Sequence, residues 1–75
     1  MTHLDVCFRY RRQPGIEQMR AIDSMREVYG IRRIAFNEQE KTVSVEYDAS
    51  RLSEAVVAGL LRHAGLDIEQ KVALA

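Results

Sequence analysis

The chain has 75 residues, with eleven Lys and Arg balanced by eleven Asp and Glu, so its formal net charge is zero. That length supports one small domain with a marginal core, so no deep catalytic cleft is expected. Zero net charge removes the long-range field of a general nucleic-acid binder, and the single cysteine, Cys7, excludes an internal disulfide or a two-cysteine metal site.

Leu4, Val6, Phe8 and Tyr10 alternate with Asp5, Cys7, Arg9 and Arg11, the period of a half-buried strand. Arg12 and Gln13 break the pattern. Pro14 suits a first helical position, and Glu17 suits the positive end of the helix dipole. The helix is predicted from Pro14 to Tyr29, with Ala21, Ile22, Met25, Val28 and Tyr29 on its buried stripe. Ile16 and Met19 drift off that stripe toward the opening loop. Gly30 closes the helix. Ile31, Ile34 and Phe36 then begin a second strand, backed by Arg33, Ala35 and Asn37. After a polar turn, Val43, Val45 and Tyr47 alternate with Thr42, Ser44 and Glu46 to complete a hairpin.

Ser53 is the expected N-cap of a second helix, whose buried stripe is Val56, Val57, Leu60, Leu61 and Ala64. Gly65 caps it, and Leu66 to Leu74 reads as a weaker final strand. The order is βαββαβ, and every element has a single apolar side. The expected fold is therefore α+β, a ferredoxin-like sandwich over residues 1–75. Its four-stranded antiparallel sheet is covered on one face by two helices.

Gly30-Ile31-Arg32-Arg33-Ile34-Ala35-Phe36 is similar to the segment after the first helix in heavy-metal-associated domains, the modules of copper chaperones and metal-transporting ATPases. Val43-Ser44-Val45-Glu46-Tyr47-Asp48 and the closing Ala64-Gly65-Leu66 resemble the same family. The resemblance spans residues 4–72 and implies the family fold. It also implies where a soft metal would bind, in a Met-x-Cys-x-x-Cys loop whose cysteines fall near Pro14 and Glu17. That loop here is Arg11, Arg12, Gln13, Pro14, Gly15 and Glu17, with no sulfur. Soft ions select thiolate and thioether ligands, so the family chemistry is not reproduced.

Three residues are weak metal candidates. Cys7 lies mid-strand on the polar phase, where a semi-exposed thiol is expected, roughly 15 Å from the loop at the rise of a strand. Met19 is a thioether near the loop, though gap filling is the usual role of methionine. His63 ends the second helix, where a cation suits the dipole. No resident cofactor is expected; copper or zinc enters only under a metallochaperone alternative that uses Met19 and His63. A second alternative is an amino-acid-binding, ACT-like regulatory module, which Gln13-Pro14-Gly15-Ile16 resembles in its turn after the first strand.

The leading expectation is a binding or interaction module with a protein partner, not an enzyme. Phe8, Tyr10, Phe36 and Tyr47 fall on the helix-facing phase, which argues against base stacking on an open sheet and so against nucleic acid. Arg9, Arg11 and Arg12 form the one local arginine cluster. The open sheet face should carry Asp5, Cys7, Arg9, Ala35, Thr42, Ser44, Glu46 and Lys71. No apolar run approaches the ~20 residues of a membrane helix, and Met1-Thr2-His3-Leu4-Asp5 has no signal-peptide core. A soluble, cytoplasmic protein is expected, monomeric or weakly dimeric through the fourth-strand edge or the Arg11–Arg12 loop.

Overall fold

The computed structural model describes residues 3–72. Its elements are β1 (His3–Tyr10), α1 (Ile16–Ser24), β2 (Ile31–Asn37), β3 (Thr42–Asp48), α2 (Glu54–His63) and β4 (Ile68–Val72). The strands form one antiparallel sheet in the order β2-β3-β1-β4, which puts β2 and β4 at the edges. This α+β layout, two helices with an antiparallel sheet, is compatible with a ferredoxin-like arrangement. Ala73 and Leu74, expected to extend the last strand, lie outside the described residues.

The strand phases meet in register. Val6 stands opposite Val45, and Phe8 opposite Val43, on the face that meets the helices. These residues, with Tyr10, Ile34 and Tyr47, join Ile22, Met25, Val57 and Leu61 in one buried cluster. Leu4, on the same phase at the start of β1, stays 46 % exposed.

The first helix is shorter than its periodicity suggests. Its N-cap is Gly15 in extended conformation, so Pro14 precedes the helix instead of opening it. The α-helix stops at Ser24 and tightens into a 3₁₀ turn over Met25–Glu27. Arg26 marks this change: its Nε donates to Asp23 Oδ1 and its Nη2 to the main-chain oxygen of Ile34, each at 3.0 Å. The tighter turn keeps Met25 in the core but throws Tyr29 out, leaving it 71 % exposed where burial was expected. Gly30 then turns the chain into β2 at φ +106°, a region that L side chains avoid.

In α2 the Ser53 hydroxyl accepts from the Val56 amide at 3.2 Å, as an N-cap should. The buried stripe is rotated by about one position from the expected one. Val57, Ala58 and Leu61 are buried, while Val56 is 47 % exposed.

Two bulges set the sheet's faces. In β2, Arg32 is an extra residue between the Ile31–Tyr47 and Arg33–Glu46 pairs, so Ile31 and Ile34 can both face the core. In β4, the register shifts between the Lys71–Phe8 and Ile68–Tyr10 pairs. Lys71 therefore lies on the helix side, where its Nζ reaches Glu54 Oε1 at 2.9 Å, and not on the open face. Cys7 also departs from expectation. It sits on a central strand between Ser44 and Val72 and is buried at 6 % exposure. Thr42, on that same face, is buried too. A small side chain on an inner strand is flanked by neighbours on both sides, so the polar phase does not guarantee exposure.

Candidate functional site

The loop between β1 and α1 is closed by hydrogen bonds from both sides. The Arg11 amide donates to the Asp67 main-chain oxygen at 3.0 Å, and the Arg11 guanidinium pairs with the Glu69 carboxylate. That pairing raises the Arg11 pKa further above its already high ordinary value. Gln13 Nε2 donates to Glu38 Oε1 at 3.2 Å, which ties the loop to the hairpin turn between β2 and β3. Glu17 is exposed in the first turn of α1.

Gln18 is the centre of this end of the molecule. Its Oε1 accepts from the Gly15 amide at 3.0 Å and so satisfies a donor at the helix start. Its Cγ packs against Gly65, which follows α2 at φ +100°; a Cβ on Gly65 would lie 3.0 Å from that carbon. One side chain thus fills the space between two glycines and joins the start of α1 to the turn after α2. Around it lies a depression of about 430 Å³ bordered by Arg12, Gln13, Gln18 and Asp67. Arg12 and Asp67 form no ion pair among the described residues, so both charges face solvent. Guanidinium, amide and carboxylate groups at this position suit hydrogen-bonded recognition of a polar partner, not soft-metal ligation.

The three metal candidates lie apart. Met19 is 41 % exposed on α1 and does not border that depression. His63 is exposed at the end of α2 and borders another one, of about 380 Å³, with Ala21, Met25, Val28 and Leu60. Cys7 is buried on the sheet face opposite the core phase. Among the described residues, no three His, Cys, Asp or Glu side chains are placed to hold a metal ion together.

The arginine distribution differs from the one expected. Arg11 is engaged by Glu69, whereas Arg26, Arg32 and the more distant Arg51 border a third depression of about 300 Å³ together with Tyr29. Sequence reasoning missed this cluster, and it missed Gln18. For Gln18 a signal existed: glycine followed three residues later by glutamine at a helix start is the spacing of a capping box. For the arginines there was none, since they come from a turn, a bulge and a loop.

Compared with known proteins, the chain matches no family model and no curated protein. Among the described residues, no helix is long and apolar enough to cross a membrane.

Proposed function

We propose that this chain is a ferredoxin-like, heavy-metal-associated-like module that acts by binding or interaction and not by catalysis, with the family's soft-metal site replaced by a polar groove. One observation carries the reading. At the position of the family's metal loop, Arg11–Glu69, Gln13–Glu38 and Gly15–Gln18 contacts hold the chain closed around groups that are poor ligands for soft ions. The burial of Cys7 supports it further, because a shielded mid-strand thiol is poorly available to an incoming ion. The groove's Arg12 and Asp67 favour a protein or other polar partner with complementary charge, in a reducing, cytoplasmic setting.

Titration with Cu(I) and with Zn(II), each in competition with a chelator of known affinity, tests the reading. The expected result is no tight one-to-one complex with either ion. Submicromolar one-to-one binding that disappears in Met19→Leu or His63→Gln would overturn it in favour of a metallochaperone with substitute ligands.

A further inference from the structure

The end of the fold opposite the polar groove holds a group of residues for which the reading above has no use. Tyr29 stands 71 % exposed, with the guanidinium carbon of Arg51 over one ring face at 4.1 Å from the centroid. Arg51 is held from a second direction. Its Nε lies 3.6 Å from Asp48 Oδ2, and the Asp48 carboxylate, itself only 4 % exposed, is fixed through its other oxygen by Ser50. A cation anchored on a buried carboxylate and an aromatic face loses little freedom when it meets a ligand. Its two terminal nitrogens make no hydrogen bond among the described residues. Arg32, at the β2 bulge, borders the same depression and forms no ion pair among the described residues. Arg26, paired with Asp23 and bonded to the Ile34 main-chain oxygen, borders it as well, and Glu27 is the one lining carboxylate without an ion pair among the described residues.

We infer that this depression is a binding site for a nucleoside monophosphate or a ligand of the same chemistry, a phosphate monoester carried on a flat ring. The phosphate sits between the Arg32 and Arg51 guanidinium forks, and the ring stacks on the open face of Tyr29. A phosphate monoester offers three oxygens to the two guanidinium groups that border the depression, whereas a carboxylate offers two. Tyr29 supplies a π-face that accepts a base of any identity. The volume of about 300 Å³ is at the lower end for a small-ligand site, which fits a mononucleotide better than a larger molecule. The inference is independent of the polar groove and of any metal.

Amide NMR titrations of the full chain with AMP, inorganic phosphate and adenosine test it. AMP should give saturable shifts centred on Gly30, Arg32 and Arg51, with inorganic phosphate binding about tenfold more weakly and adenosine more weakly still. Arg32→Gln and Arg51→Gln should each weaken AMP about tenfold, the size expected for one lost charge-assisted hydrogen bond. Tyr29→Ala should remove the advantage of AMP over inorganic phosphate and, by releasing Arg51 from the ring, weaken inorganic phosphate by a smaller factor. Arg32 is exposed on a bulge, so its variant stays folded and keeps the test decisive. Adenosine binding as tightly as AMP, AMP binding unchanged in Arg32→Gln, or no saturable shift at this end would each overturn the assignment.

Discussion

Ser50 donates twice to Asp48 Oδ1, from its hydroxyl at 2.7 Å and from its amide at 3.0 Å. These bonds hold the Asp48 carboxyl below its ordinary pKa. Burial opposes them, and Arg51 and His3 add smaller favourable effects. A carboxyl depressed on folding contributes stability above its unfolded pKa, near 4, and loses it as pH falls through the folded value. Asp48→Asn should therefore melt below the parent chain at neutral pH, and the gap should narrow as pH drops below about 4. Thermal melts across a pH series check this. A gap of constant size down to the acid limit would contradict it.

Tyr10 is 1 % exposed, with its ring set edge-on to Phe36 at 6.0 Å between centroids. Its hydroxyl has no partner among the described residues. Burial, with Glu38 adding to it, pushes the phenol above its ordinary pKa, so at neutral pH it remains a protonated donor. A buried donor without a partner costs about 1–3 kcal/mol. Tyr10→Phe keeps the ring and removes that donor, and urea unfolding should show a gain of about 1 kcal/mol. A loss of similar size would mean that the hydroxyl is bonded in solution.

The glycines separate into two kinds. A Cβ on Gly59, in the middle of α2, would meet nothing within 4 Å. Gly59→Ala should therefore stabilise the chain by about 0.5–1 kcal/mol, through helix propensity and a less mobile unfolded state. At Gly30 the backbone has φ +106°, and a Cβ would lie 2.9 Å from Leu52 Cδ1. Gly30→Ala should cost at least about 1–2 kcal/mol, the penalty for an L residue in left-handed conformation. Paired denaturation curves of the two variants test the signs together.

Leu61 is fully buried, while Val56, five positions earlier on the same helix, is 47 % exposed. Truncation should separate them sharply. Leu61→Ala is expected to cost about 2–5 kcal/mol and Val56→Ala less than about 1 kcal/mol. Equal losses in chemical denaturation would show that α2 packs with the rotation its hydrophobic pattern first suggested.

Much of the fold was legible because strand and helix periods are local properties. The alternation of Val43, Val45 and Tyr47 and the cap at Ser53 both stand as the sequence implies. The bulge at Arg32 was passed over although a signal existed, since Ile31 and Ile34 cannot share one face of a regular strand. The bulge in β4 left no such signal, because its register depends on β1, more than fifty residues away, and that shift carries Lys71 to the helix side. Tyr29 was misplaced for a related reason: the tight turn at Met25–Glu27 is stabilised by Arg26 reaching β2, a tertiary contact. At the candidate site, the sequence singled out the loop residues Arg11 to Glu17 but not their partners. The cross-links from Arg11 to Glu69 and from Gln13 to Glu38 depend on side chains brought near only by folding.

The hydrogen bond from Arg26 to the Ile34 oxygen has a consequence for polymerisation. Ile34 lies on an edge strand, and that carbonyl would otherwise be available to a neighbouring chain. With it occupied, and with Arg32 bulged out nearby, the β2 edge makes a poor template for an added strand. Sheet growth beyond two molecules through strand edges needs both edges of each copy, so a poor β2 edge hinders it. A single arginine in a tight turn therefore fixes that turn and also occupies an acceptor on the edge strand it reaches.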